Sequence, residues 1–261
     1  MKKVGIIGAG KIGGSLLFRL VESGGFDLAA SDIHPEQLRP YQEAGVHTTS
    51  SNRELAETSD LIIAAVKPWD VAGVMEEISP TFDGTDKAVT SVAAGVSIAR
   101  ISESLPQGTA ILRVMPNVCA SVGLGSAVVT SNEAGRAALP TVMDIFRHVG
   151  EVQELPERLF DAATALHGSG PAYVALFADA LIQAGVREGI PRDVARRLVI
   201  GTIGGTAVLL KERSAHQVRD EVMTPGGTTA AAFVAMEKAG FVAAVYDGVE
   251  AATERARRLG G

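Results

Sequence analysis

Several things are scarce in this 261-residue sequence, and each scarcity removes a class of function. A single cysteine, Cys119, excludes an internal disulfide and any cysteine-rich zinc site. The five histidines, His34, His47, His148, His167 and His216, fall at no spacing suited to a metal centre, so no metal site is expected. Lys and Arg number 24 against 30 Asp and Glu, a net charge of −6. Nucleic acid is therefore not an expected partner, because neutralising phosphates takes clustered cations. Long apolar runs are missing as well. The longest charge-free stretch, 114–132, contains Pro, Asn, Gly, Ser and Thr and does not read as a membrane span. The Lys2-Lys3 start leads into an apolar run, but Lys11 interrupts it, and a strand with a glycine loop explains it better than a secretion signal. The expectation is a cytoplasmic protein with no membrane partner.

What remains is ordinary globular material, 46% hydrophobic and 21% charged. The length suffices for one large domain or two modest ones. Its first half alternates β-rich and helix-like runs. Strands are predicted at 4–7, 27–31, 61–66, 87–92, 109–114 and 123–130, and helices at 12–23, 35–44, 52–57, 69–78, 98–105 and 134–149. Such alternation predicts a doubly wound parallel sheet. From Pro156 onward only helical spacing remains, with helices predicted at 157–166, 171–188, 192–213, 215–222, 228–239 and 242–258. The division is therefore an α/β domain over 1–154 and an all-helical domain over 155–261. The segment 198–210 is apolar on every side, which predicts burial all round. A small helical domain has little material to surround it, so a second subunit against Gly201, Gly204 and Gly205 is expected, with a central helix of one subunit as the alternative.

Two glycine-rich stretches carry the chemistry. Residues 4–13 read as a strand, then Gly8-Ala9-Gly10-Lys11-Ile12-Gly13, then a helix. The G-x-G-x-x-G pattern in that setting is a dinucleotide fingerprint of the Rossmann type. Gly8 makes the turn, Gly10 admits the pyrophosphate, Gly13 allows close packing, and the helix N-terminus supplies unpaired N–H groups. The next strand ends in Ser31 and Asp32; an acid there favours a ribose with both hydroxyls free, while Ser31 could instead face a 2′-phosphate. Lys67 follows a buried strand and Ala93-Ala94-Gly95 follows the next, both on the ligand side of an open sheet. The second stretch is Thr224-Pro225-Gly226-Gly227-Thr228-Thr229 ahead of a helix. Its residues leave two readings open: a plain helix start capped by Thr224 or Thr228, or an anion nest of exposed glycine N–H groups.

Five short runs together resemble the pyrroline-5-carboxylate reductases: Ala65-Val66-Lys67-Pro68, SVAAGVSI at 91–98, RVMPN at 113–117, LHGSGPAY at 166–173 and TPGGTT at 224–229. They follow that family's order and spacing over essentially the whole chain. The resemblance implies a Rossmann domain with a C-terminal all-α dimerisation domain, and a homodimer or a higher homo-oligomer of dimers. It also implies an active site between one subunit's nucleotide domain and its partner's helical domain. The activity implied is reduction of 1-pyrroline-5-carboxylate to L-proline by NADPH or NADH. Residue by residue, Gly8 to Gly13 resemble the pyrophosphate loop, Ser31 the 2′-side contact and Asn52 an adenosine-ribose contact. Ala65, Val66, Lys67 and Pro68, with Ala93, Ala94 and Gly95, resemble the loops lining the cofactor. Pro225, Gly226, Gly227, Thr228 and Thr229 resemble the substrate loop, with Thr229 beside the imine nitrogen. Three positions depart from the pattern: Asp32 is acidic where many relatives are small or basic, Glu221 replaces an Asn of some relatives, and His167 stands where Ser or Ala is commoner. Asp32 leans towards NAD, so the choice between NADP and NAD stays open. Two other readings remain: a related cyclic-imine or hydroxyacid dehydrogenase, and an NAD(P)H-binding regulator without turnover.

Overall fold

A computed structural model describes residues 3–260, with side chains to 258. Met1, Lys2 and Gly261, at the ends of the two predicted domain ranges, lie outside the described residues. The first half folds as an eight-stranded sheet in the order β3-β2-β1-β4-β5-β6-β7-β8. Its strands are β1 (Lys3–Ile7), β2 (Asp27–Ser31), β3 (His47–Thr49), β4 (Leu61–Ala64), β5 (Ala88–Ser91), β6 (Ala110–Pro116), β7 (Gly125–Ser131) and β8 (Gly150–Glu154). Neighbours pair in parallel except β6 with β7, which run antiparallel. The connecting helices are α1 (Lys11–Ser23), α2 (Pro35–Glu43), α3 (Asn52–Thr58), α4 (Val71–Ile78), α5 (Ile98–Ser102) and α6 (Leu139–Arg147).

Side-chain alternation in the strands sorts the apolar residues into two layers. Ile6, Ile63 and Leu112 face Leu16, Leu17 and Phe146 on one side of the sheet. Ile7, Ile62 and Ile111 face Leu55, Met75 and Ile78 on the other. A parallel sheet buried on both faces is what the near-continuous apolar strands require.

Two strands escaped the sequence reading. β3 is three residues long and β8 reads GEVQE, and each forms an edge of the sheet, where only one ladder is needed and polar residues are tolerated. The predicted helix at 134–149 is in fact a 3₁₀ turn, Ala134–Ala137, followed by α6. Pro140 forces the restart, since it fits the first turn of a helix and not its interior.

The compact units divide the chain at Ser169/Gly170, with Ala252 onward counted in the first unit, whereas the sequence placed the break at 154/155. The reason lies in 157–168. Phe160 and Ala163, on the short helix α7 (Phe160–Ala163), pack against Val128 of β7. Glu157 accepts from the Ile98 N–H at 2.8 Å and pairs with Arg113 of β6 at 3.1 Å. The Arg113 guanidinium, nearly buried, stacks over the Phe160 ring at 4.7 Å. This segment is fastened to the sheet by an ion pair and an aromatic contact that no periodicity reveals.

The second unit, Gly170–Ala251, is helical: α8 (Gly170–Arg187), α9 (Arg192–Leu209), α10 (Ala215–Val222), α11 (Thr228–Lys238) and most of α12 (Phe241–Gly260). α8 and α9 approach closely where a Cβ on Gly185 would stand 3.3 Å from that of Ala195. Burial within the single chain is sparse. Leu198, Ile200 and Val208 of α9 are 57%, 53% and 65% exposed, and Gly201, Gly204 and Gly205 have open space beside them. The central-helix alternative for 198–210 therefore fails in one subunit. Among the described residues no single helix is long and apolar enough to cross a membrane, and no group of three or more His, Cys, Asp or Glu could hold a metal ion.

Candidate functional site

Because β1, β2, β4, β5 and β6 are parallel, their carboxyl ends share one edge of the sheet, and the loops that leave it lie side by side. The first of these loops is tightly held. Gly8 takes φ +94°, open to glycine, and its N–H donates to the Ser31 carbonyl at 2.7 Å. The Ala9 N–H donates to Asp32 Oδ2 at 2.7 Å, while Asp32 Oδ1 accepts from the His34 N–H at 2.8 Å. A methyl on Gly13 would overlap the Gly8 carbonyl oxygen, so α1 can meet the loop only as glycine. Gly10 differs: nothing lies within 4 Å of where its Cβ would be. Gly10 also caps α1 without a side-chain hydrogen bond, leaving the N–H groups of Lys11, Ile12 and Gly13 without intrahelical acceptors. An open approach over Gly10 towards free amides and a positive helix end fits a pyrophosphate.

Ser31 ends β2. Its side chain is fully buried, and its hydroxyl donates to Asn52 Oδ1 at 2.8 Å. Ser31 so holds Asn52, the first residue of α3. Asn52 Nδ2 donates in turn to Glu77 Oε2 at 2.8 Å. Asn52 stays half-buried.

After β4, the Ala65 N–H donates to the Ile7 carbonyl at 2.7 Å, so the strand-end loop runs beside the glycine loop. Val66 is half-buried, Lys67 exposed, and Pro68 opens a 3₁₀ turn. After β5, Ala93 is buried with its N–H towards Ser91 Oγ at 3.3 Å, Ala94 is exposed, and Gly95 has φ +76°. The predicted cofactor residues thus gather on one edge. Ile33 and Trp69, which the sequence reading passed over, stand 81% and 77% exposed beside Asp32 and Pro68.

The RVMPN and LHGSG runs find a structural use. Asn117 Oδ1 accepts from the N–H groups of Cys119 and Ser126, each at 3.2 Å, and its Nδ2 donates to the His167 carbonyl at 3.0 Å. That contact fixes a π-helical turn, Thr164–Gly168, in which the Ser169 N–H reaches the Thr164 carbonyl. The His167 ring sits in this turn with neither nitrogen hydrogen-bonded. Burial lowers its pKa below the ordinary histidine value; the nearby Ser126 backbone opposes the shift, short of hydrogen-bonding geometry.

The second unit holds the TPGGTT turn. The Gly227 N–H donates to the Thr224 carbonyl at 3.0 Å, with Pro225 next and Gly226 at φ +68°. This is the dihedral and residue pattern of a type II turn. Gly227 then becomes the N-cap of α11 with no side-chain cap. Neither Thr224 nor Thr228 caps the helix, so the plain capped start is not what forms. The nest expectation changes too, because the Gly227 N–H is spent inside the turn. The free donors are the first-turn amides of Thr228, Thr229 and Ala230. Thr229 is half-buried there, and Glu221 pairs with Arg213 at 2.7 Å.

Comparison with known proteins places this geometry among related chains. Residues 157–259 match a family model described as pyrroline-5-carboxylate reductase dimerisation, and residues 3–95 one described as NADP oxidoreductase, coenzyme F420-dependent. A pyrroline-5-carboxylate reductase of Synechocystis is 38% identical, covering 99% of this chain and 98% of its own. That of Corynebacterium melassecola is 34% identical over 100% and 99%. Among solved structures, the Coxiella burnetii pyrroline-5-carboxylate reductase superposes with a TM-score of 0.95 at 31% identity, covering 100% of this chain and 99% of that one. A Plasmodium falciparum pyrroline carboxylate reductase with NADP bound gives 0.87 at 33% identity over 100% and 98%.

Proposed function

This chain belongs to the pyrroline-5-carboxylate reductase family, and from that premise we propose that it reduces 1-pyrroline-5-carboxylate to L-proline with NAD(P)H. The reaction adds a hydride to the carbon of the C=N bond and a proton to its nitrogen, giving NAD(P)⁺ and the ring amine. The bound dinucleotide supplies the hydride, and the protein supplies position. The glycine loop, Asn52, Ala65 to Pro68 and Ala93 to Gly95 would hold it.

The observation that carries the substrate side is the uncapped start of α11. A carboxylate binds such a helix end through the amides of Thr228, Thr229 and Ala230 and the helix dipole, without an Arg. The Thr229 hydroxyl, a poor acid, then orients the imine nitrogen and relays its proton through water. Glu221, already paired with Arg213, is not needed as an acid.

The chain forms a homo-oligomer, in keeping with the dimerisation family it matches. We propose that its unit is a homodimer in which a second copy covers the bare faces of α8 and α9. The range 155–261 is proposed as the dimerisation and substrate domain, and the cytoplasm as its compartment.

The test is oxidation of NADH and NADPH by the purified protein with pyrroline-5-carboxylate at neutral pH. Substrate-dependent turnover is expected. Tight cofactor binding without turnover by either cofactor would leave the chain a binding protein and overturn the reading.

A further inference from the structure

Hydrogen-bond donors around the end of β2 point inward, at carboxylates or at a group that leads to one. The N–H groups of Ala9 and His34 take the two oxygens of Asp32. The Ser31 hydroxyl goes to Asn52, and the Asn52 amide goes to Glu77. Donors so engaged are not free for a 2′-phosphate. Asn52 keeps one amide hydrogen, while the carboxylates of Asp32 and Glu77 keep acceptor capacity beyond these bonds.

Cations do not redress the balance. Arg39 pairs with Glu43 at 3.4 Å and Arg53 with Glu57 at 3.1 Å, each along its own helix. His34 stands 3.6 Å from Glu36, and His47 stands 3.8 Å from Glu54. Lys11, at the start of α1, and Lys67, after β4, are exposed on the same edge but belong to the other two loops, so at the end of β2 a phosphate carrying close to two charges would meet Asp32 and Glu77. A ribose with both hydroxyls free donates where acceptors remain.

We propose that this chain prefers NADH over NADPH, and that Glu77, held against Asn52 at the end of the Ser31–Asn52 relay, sets that preference together with Asp32. Asp32 alone is the familiar device at this strand end. Glu77 is the added element, brought from the far end of α4 to Asn52, the residue we place against the ribose. The proposal deepens the reductase reading and depends on it only for the identity of the bound dinucleotide. Because Asp32 also anchors the Ala9 N–H, changing it disturbs the pyrophosphate loop and weakens both cofactors. Glu77 has no such second duty at the loop, so it isolates the effect.

Equilibrium binding of NADH and NADPH to the full chain, read from the cofactor's own fluorescence, tests this without substrate. The wild-type chain is expected to bind NADH about tenfold or more tightly than NADPH. In Glu77→Gln the ratio of the two Kd values should move towards NADPH by about threefold or more. The same ratio should appear in kcat/KM if the chain is a reductase. Binding that keeps this order with no turnover would sink the reductase reading and leave the preference standing. Equal or tighter NADPH binding by the wild type would overturn the preference, and an unmoved ratio in Glu77→Gln would remove Glu77 from it.

Discussion

Gly10 and Gly13 share one loop, yet alanine at the two positions should fail in different ways. Gly10 sits at φ −70° and ψ −157°, which alanine adopts freely, with nothing within 4 Å of the added methyl. Relief of unfolded-state entropy contributes about 0.4–1 kcal/mol, and alanine's poorer N-capping costs a similar amount. Stability without cofactor should therefore hardly change. The methyl, however, occupies the approach to the α1 amides. Loss of one charge-assisted hydrogen bond to the pyrophosphate costs about 1.5–3 kcal/mol, or ~10–100-fold in Kd. At Gly13 the methyl meets the Gly8 carbonyl, which is backbone, and stands 3.0 Å from the Ala65 Cβ. Overpacking costs about 1–3 kcal/mol, and straining the Gly8 and Ala9 anchors adds about 1 kcal/mol. Gly13→Ala should thus lower Tm by ~5–15 °C before any cofactor is added. Thermal unfolding of both variants, paired with NAD(P)H titration, separates the cases. A Gly10→Ala Kd within about twofold of wild type would mean that no pyrophosphate passes over Gly10.

Three further outcomes follow from particular contacts. Thr229→Val should lower kcat by about tenfold or more while cofactor Kd stays put; an unchanged kcat removes the hydroxyl from the chemistry. Glu157→Ala leaves the Arg113 guanidinium, its side chain 5% exposed, without its ion-pair partner. Full burial of the pair would set this loss at ~3–5 kcal/mol, and the 32% exposure of Glu157 brings it to about 2–3 kcal/mol in urea unfolding, with less than ~1 kcal/mol refuting the account. His167 is held neutral by burial, its folded pKa below the ordinary value. Its contribution is therefore present above pH ~6.5 and declines as pH falls from there towards the folded pKa, at no more than about 1.4 kcal/mol per pH unit. His167→Ser should flatten the stability profile between pH ~7.5 and ~5, and an unaltered profile would show that the ring is not protected from protonation.

Most of the α/β half was legible because its signals are local. Apolar runs of strand length and a glycine loop directly after the first of them are enough to place β1, α1 and β2. The edge strands β3 and β8 were not legible, since an edge asks little of composition. The attachment of 157–168 was hidden for another reason. Glu157 is a charge that the sequence gives no reason to pair with Arg113, 44 residues earlier in the chain. Ser31 shows the same limit: its bond to Asn52, 21 residues further along the chain, is not encoded in composition.

The turn before α11 goes a step further, because a capped helix start and a ligand-binding one can share a composition. What separates them is whether a side-chain oxygen occupies the first amides. Two glycines decide this for different reasons. Gly226 supplies the positive φ that lets the chain reverse after Pro225, and Gly227 leaves room for the Thr224 side chain, whose Oγ1 a Cβ would overlap. With glycine as N-cap and no hydroxyl turned back, the amides of Thr228, Thr229 and Ala230 keep their donors. Such a helix forgoes the side-chain bond that a Ser or Asp cap would make at this position. α10, by contrast, carries a complete capping box between Ser214 and Gln217. The start of α11 is left open, as is that of α9 after Pro191 in the same unit, but only the α11 start follows a glycine turn and carries Thr229. An anion bound there supplies the missing acceptors, so anion binding at this turn and the stability of α11 should rise together.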